Sequence, residues 1–394
     1  MINLTTAESA LKEAYLDAVC NQLNTNANPL LAKIKQSSAD VYGKNIIKMA
    51  PIGLNGGVGA GSETGALPTA KSTRYAQFKT TLKNLYGQIS ISDKAIRASA
   101  TNAGAFVDLL NAEMEGLLTA SKFNLGRMLY GDGTGALGAV TAHTASSKVI
   151  TFDSVRNFAE GMCIDIYDEA GEVNATGLRI VSVNRSTNTI TVDNVPATLS
   201  AGAVAYVQGS KGNEITGLGA IFGSTGELYG LNRAENEWLT PYTSTTSTEI
   251  SDDMLQEAID YLAENSASEI DIITCNAGVR RAYMQYLSCY RRNVDVMNLA
   301  GGYKAVSFNG IPVVADRFVE DGALYMLDSS KFTLHQLCDW EWIQGENGNI
   351  LHQKAGYPSY TATLVKYADL ICDQPNGQAK FTNISSTVTN PFAN

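Results

Sequence analysis

The chain has 394 residues, 44% of them hydrophobic, with a formal net charge of −10. That length suits two or more compact units with real cores, and the acidic balance opposes sequence-reading of nucleic acid, whose phosphates it repels. No run of 18 apolar residues occurs, nor a basic start followed by an apolar block, so neither a membrane span nor a secretion signal is expected and the chain should stay in the cytoplasm where it is made.

Residues 1–43 open with an amphipathic stretch, Ala7–Leu23, in which Leu11, Tyr15, Leu16, Val19 and Leu23 share a face, followed by a short helical turn over Leu30–Ile34. A helix this short is marginal alone, so the segment reads as an arm that packs on something else. From Lys44 to Ile91 the pattern is a hairpin: Ile46, Ile47 and Met49 mark one strand, and Tyr75, Phe78, Leu82, Leu85, Ile89 and Ile91 a longer one. Between them lies a tip with glycines at 53, 56, 57, 59, 61 and 65, which has little to pack and much entropy to lose. A phosphate loop would need Gly-x4-Gly-Lys-Ser/Thr before a helix, and Lys71-Ser72 has no such glycine.

Residues 102–130 form the longest element. Phe106, Leu110, Met114, Leu117, Leu125 and Met128 recur at three- and four-residue steps, widened by Leu109, Leu118 and Leu129, and so predict one helix roughly 40 Å long. Thr101 or Asn102 can cap its start, and Gly131-Asp132-Gly133 lets the chain leave it. Gly133 to Gly138 matches GxGxxG, but the dinucleotide fingerprint needs a strand first and a helix after; a helix stop and a turn explain it better. Over 147–209, the runs VITF, MCIDIYD, LRIVSV, TITVD and AVAYVQ separated by turn clusters predict a small all-β insertion, a barrel or sandwich.

The pattern then turns α/β. Ser251 caps a helix with Asp252 and Asp253 in its first turn, strand Ile270–Thr274 follows, and Asn276 starts a second helix through Tyr290. Tyr303–Phe308, Ile311–Ala315 and Ala323–Leu327 read as strands, the first two joined by Asn309-Gly310. Arg280, Arg281, Arg291 and Arg292 make the one basic cluster, a solvated or subunit-facing surface because no aromatic residues interleave for base stacking. Phe332–Leu334, Trp340–Ile343 and Thr361–Cys372 close the chain as strands, the last long enough to lie beside the long helix; the tail after Pro375 is polar and expected to be pinned by a neighbour.

The pattern supplies little for chemistry. Six scattered cysteines (Cys20, Cys163, Cys275, Cys289, Cys338, Cys372) without CxxC argue for reduced thiols, and His143, His335 and His352 lack metal spacing. No Gly-x-Ser-x-Gly elbow occurs, and the carboxylate pairs Asp252/Asp253 and Glu113/Glu115 fit a helix start and a polar face. Neither a catalytic residue, a cofactor nor a metal is assigned.

The order of parts resembles the major capsid proteins of tailed double-stranded-DNA bacteriophages, the Hong Kong phage-type capsid fold. The resemblance runs from FKTTLKNLYGQISISDKAIRAS through the long helix to NGIPVVADRFVEDGALYMLD and the closing strand. It implies an α+β fold with an N-terminal arm (1–43), an E-loop hairpin (44–91), a peripheral P-domain built on the long spine helix (92–146 and 329–373), the all-β insertion (147–209), an α/β axial A-domain with its connecting segment (210–328) and a C-terminal tail (374–394). It further implies hexamers and pentamers that tile a shell around double-stranded DNA, assembled in the host cytoplasm with portal, scaffolding and decoration proteins as partners and no membrane. Gly57, Gly61, Tyr75, Phe78, Leu82 and the four arginines are then the candidates for contact between subunits, with Tyr75, Phe78 and Leu82 expected to be buried mainly by adjacent copies. Some relatives join subunits by a Lys-to-Asn bond; Lys44, Lys48 and Lys71 border the hairpin tip here, and Asn347 and Asn349 lie in a P-domain turn, without a motif. Encapsulin nanocompartments share the fold and stand as the alternative, and a carbohydrate-active or other enzyme with its site in the α/β part, which a pocket of converging carboxylates would favour, is the alternative of another class.

Overall fold

A computed structural model describes residues 28–53, 55–94, 103–196, 198–245, 249–290, 296–298, 304–345 and 348–388. The predicted helix Ala7–Leu23, the cap at Thr101 or Asn102, Cys20, Arg291, Arg292 and Asn347 lie outside them. The long helix spans Ala103–Tyr130. Met114, Leu118, Leu125 and Leu129 are buried along it at helical spacing, as the period requires. It ends where Gly131 donates to the Met128 carbonyl at 3.1 Å, and Gly133 then takes φ +83°.

Against the helix lies a five-stranded sheet. Strand Phe332–Trp342 sits between Lys35–Ser37 and the closing strand Ser359–Cys372, which also pairs with Lys83–Ser92 and with His352–Gln353. The helix packs most closely on Lys83–Ser92: a Cβ added at Gly87 would stand 2.9 Å from Leu117 Cδ1, so the glycine admits the helix side chain. Three expectations are corrected here. Leu30, Leu31 and Ile34 are buried and Lys35–Ser37 joins the sheet in parallel, so residues 28–37 belong to the chain's own core and are not part of a free arm. The long second strand of the hairpin is two strands, Arg74–Thr81 and Lys83–Ser92, and the chain changes sheets at Leu82. Phe332–Leu334 and Trp340–Ile343 are one strand, Phe332–Trp342, made continuous by register shifts between Gln336 and Glu341.

The all-β insertion is a closed barrel in the order Thr189–Val192, Val149–Phe152, Ala136–His143, Val204–Val207, Cys163–Tyr167, Val173–Asn184. Its first strand, Ala136–His143, starts before the boundary at 147; ALGAVTAH is too rich in alanine and glycine to read as a strand, and barrel closure overrides that weak propensity. The α/β part has a seven-stranded sheet ordered Tyr242–Ser244, Ala379–Phe381, Leu324–Leu327, Ile272–Cys275, Ile311–Ala315, Lys304–Phe308, Val296–Asn298. Helices Asp252–Ser266 and Ala277–Tyr290 cover one face through Leu255, Leu262, Val279 and Tyr283, packed on Ile273, Val313 and Met326. The other face, with Ile272, Tyr325 and Leu327, joins the core around the long helix. Ser251 Oγ accepts from Met254 N at 3.2 Å and Asn276 Oδ1 from Gly278 N at 2.7 Å, so both helix starts stand where the caps put them. Asn309 (φ 48°) and Gly310 (φ 82°) make the tight hairpin. The tail is corrected: Ala379–Phe381 is a strand of this sheet and Ile384 is buried, so the chain pins its own end at least that far.

Candidate assembly surfaces

Strands Asn45–Ile52 and Arg74–Thr81 pair antiparallel in full register from Asn45 opposite Thr81 to Ile52 opposite Arg74. Beyond Ile52 the tip extends to Thr73. Period-two alternation gives this ribbon two faces. One turns Ile46, Ala50 and Phe78 inward, and the other leaves Met49 and Tyr75 more than half exposed. At the tip, Asn55 Oδ1 accepts from Gly57 N at 2.8 Å, while Val58 and Leu67 stand 88% and 90% exposed, a poor state for apolar side chains in a lone chain.

The base of the hairpin is fastened to the body. Phe78 stacks on Trp238 (5.7 Å between centroids) and tilts against Tyr229 (5.2 Å). Phe78 is fully buried and Leu82 is 7% exposed, which corrects the expectation that adjacent copies bury them. The covers of Phe78, Tyr229 and Trp238, lie some 150 positions downstream, beyond the reach of local pattern. Lys48 Nζ lies 2.7 Å from Asp373 Oδ2, and Thr80 Oγ1 donates to Asp369 Oδ2 at 2.6 Å. Asp369 is fully buried and also accepts from Thr216 N (2.7 Å), Thr216 Oγ1 (3.1 Å) and Leu370 N (3.0 Å). Burial raises its pKa above the ordinary value, and the hydrogen bonds from Thr80 and Thr216 pull it back. Tyr229 Oη donates to the Leu370 carbonyl (3.2 Å) and accepts from Cys372 N (3.0 Å), while Lys79 N donates to the Tyr229 carbonyl (2.9 Å). The sequence signal for this fastening was present: Lys366 and Asp369 interrupt an otherwise apolar strand, as only paired charges can. Lys366, fully buried, donates to Asp339 Oδ1 at 2.9 Å and Gln36 Oε1 at 3.1 Å.

The described arginine candidates lie away from the hairpin. Arg281 is exposed and Arg280 half-buried on helix Ala277–Tyr290 of the α/β part. Gly61 is exposed in the tip. Among the described residues no group of His, Cys, Asp and Glu could hold a metal ion, and no helix is long and apolar enough to cross a membrane. A cleft of about 630 Å³ is lined by Leu82–Gln88, Leu117, Asn124, Glu214 and Trp340 among others. Its one described acid, Glu214, is already tied to Arg127, so converging carboxylates are absent there.

No family model and no curated protein matches the sequence. Solved structures do match the fold. The chain is similar to the capsid asymmetric unit of cyanophage A-1(L), at 14% identity over 92% of each chain with a TM-score of 0.52. Looser likenesses are the capsid of a native GTA particle, 12% identical over 92% of each chain with a TM-score of 0.47, and the holo encapsulin complex of Synechococcus elongatus, 8% identical over 82% of this chain and 81% of that one with a TM-score of 0.42. The fold is therefore α+β of the Hong Kong phage capsid type, with the barrel as its insertion.

Proposed function

We propose that this chain is a structural protein, the major capsid protein of a tailed double-stranded-DNA bacteriophage. In this reading it assembles in the host cytoplasm as hexamers and pentamers into an icosahedral shell and becomes part of the virion. It encloses DNA without reading its sequence, and portal, scaffolding and decoration proteins are its partners. The observation that carries the proposal is the likeness of fold to the cyanophage capsid over 92% of both chains. The hairpin supports it independently: a ribbon fastened at its base by Phe78, Lys48 and Thr80 carries Tyr75 on its strand and Val58 and Leu67 at its tip, none of which the lone chain covers. Another copy supplies that cover, and Gly57, Gly61, Tyr75, Arg280, Arg281, Arg291 and Arg292 remain the proposed contacts.

Electron microscopy of the purified protein, with nuclease digestion of particles recovered from infected or expressing cells, tests this reading. Closed shells protecting DNA are expected. Shells filled with protein would favour the encapsulin alternative. A compact monomer that gives no larger species by light scattering at high concentration would overturn the shell.

A further inference from the structure

Asn-Gly occurs at residues 55, 309, 347 and 376. With no Cβ beside it, the glycine nitrogen of such a pair is open enough to attack the side-chain amide of the preceding asparagine. The pairs at 55, 309 and 376 lie wholly within the described residues, and the fold holds each of them differently.

Asn55-Gly56 stands in the hairpin tip with both residues exposed. Among the described residues the Gly56 amide donates to no acceptor, so the attacking nitrogen is uncommitted. Asn55 Oδ1 accepts from Gly57 N at 2.8 Å, which aims a donor at the oxygen where negative charge builds as a ring closes. Asn55 Nδ2, the nitrogen that would leave, is held only loosely, by Thr73 Oγ1 at 3.5 Å. The strand register ends at Ile52 opposite Arg74, so no ladder fixes the backbone here.

The other two pairs are restrained. Asn309-Gly310 is exposed but forms the whole turn between Phe308 and its partner Ile311, with φ values of 48° and 82°. Asn309 Nδ2 donates to Gln256 Oε1 at 2.9 Å, so side chain and backbone are both held. Gly377 is buried, and its nitrogen already donates to the Gln374 carbonyl at 3.1 Å in the turn Pro375–Gly377.

We propose that Asn55 is a site of spontaneous deamidation, set apart from Asn309 and Asn376 by the fold. Hydroxide takes the Gly56 amide proton, and the nitrogen forms a bond to Asn55 Cγ. The Cγ–Nδ2 bond breaks, and Nδ2 leaves as ammonia with a proton from water, which regenerates the hydroxide. Water then opens the imide at either carbonyl, giving aspartate or isoaspartate, with no change of oxidation state. Both products put a new negative charge into the tip, next to a glycine whose added Cβ would stand 3.4 Å from Lys71 Cδ. Isoaspartate also runs the backbone through the side chain, adding a methylene to it.

Peptide mass spectrometry of the full chain, incubated over a pH series and followed in time, tests the site. Conversion of amide to acid at Asn55 is expected to run more than about tenfold faster than at Asn309 or Asn376, which react only after local opening. It should speed up with pH, because the nucleophile is the deprotonated amide, and an isoaspartyl methyltransferase should label the tip peptide. Gly56→Ala sets a Cβ beside the nitrogen, in ordinary contact with Lys71 and without a left-handed backbone to strain, and should slow conversion severalfold. Conversion at Asn55 no faster than at the other two asparagines would overturn the proposal, as would a variant that converts as fast as the wild type. If the variant fails to fold, the comparison of the three asparagines in the wild type decides. That comparison is made within one chain, with the assembly state fixed by light scattering, so it stands whether or not the chain forms shells.

Discussion

Arg127 is a charged residue in the last turn of the long helix, where cations suit the helix dipole, but its neighbours turn it into a buried strut. Its Nη1 and Nη2 reach Glu214 Oε2 and Oε1 at 2.9 and 2.5 Å, with the two side chains 3% and 2% exposed, so the pair ties the helix to the segment leaving the barrel. A bidentate pair of this kind gains in Coulomb attraction roughly what desolvation removes, so its strength shows only when one partner is lost. Arg127→Met alone or Glu214→Leu alone is expected to lower stability by about 3–5 kcal/mol, whereas Arg127→Met with Glu214→Leu should recover most of that loss. Urea melts of the four proteins form a double-mutant cycle. Single variants costing under about 1 kcal/mol would mean that water already reaches the pair. Phe78→Ala belongs to the same scale: a fully buried ring lost from the hairpin base should cost about 3–5 kcal/mol and do so in the unassembled chain, since its covers, Tyr229 and Trp238, are internal.

Among the elements, the barrel gives the sharpest test of boundaries. Strand Ala136–His143 pairs on one side with Val149–Phe152 and on the other with Val204–Val207, so it closes the sheet upon itself. It also sends Leu137 and Val140 into a core shared with Ile150, Ile164 and Ile180. A fragment of residues 135–209 should melt cooperatively with strand-type circular dichroism, and one of 148–208 should not, because it exposes two unpaired edges and an open core. Equal melts from both would show that the first strand belongs energetically to the helix junction. The same strand shows where sequence stops being informative. Ser251, Asn276 and Asn309-Gly310 were legible because a cap or a tight turn is a local chemical demand. The long helix was legible because 28 residues give its period time to declare itself. Ala136–His143, Lys35–Ser37 and Ala379–Phe381 were not, since short or alanine-rich segments become strands only through distant partners. Of the candidate site, the exposed tip was readable from its glycines, while the fastening by Asp369, Asp373 and Tyr229 depended on pairings fixed by the fold.

At the scale of the whole molecule, the hairpin divides into a base that belongs to the chain and a tip that the chain does not use for its own stability. Met49, Val58, Leu67 and Tyr75 stay more than half exposed, whereas Ile46 and Phe78 are fully buried. Under the proposed function, contacts made only on assembly must offset the ordering of the tip, about 1–2 kcal/mol of backbone entropy per residue. The strand register ends at Ile52 opposite Arg74, so residues 53–73 can be replaced by Asn-Gly without disturbing a pair below them. That variant should keep the melting behaviour of the separate subunits within about 0.5 kcal/mol, as expected for a surface change away from the core, and yield fewer closed particles by sedimentation. The two readouts separate the possibilities because they answer to different halves of the hairpin. Normal particle yield would make the tip a passive decoration, and loss of subunit folding would place it in the core despite its exposure. Loss of particles with folding intact would assign the uncovered apolar residues to the contact between copies, where burying Val58 and Leu67 at about 1.5–3 kcal/mol each for an aliphatic side chain can offset the ordering of only a few residues. Most of the tip should therefore stay mobile even in the shell, ordered only near those two anchors, and hydrogen exchange of assembled particles should find protection confined to their neighbourhood.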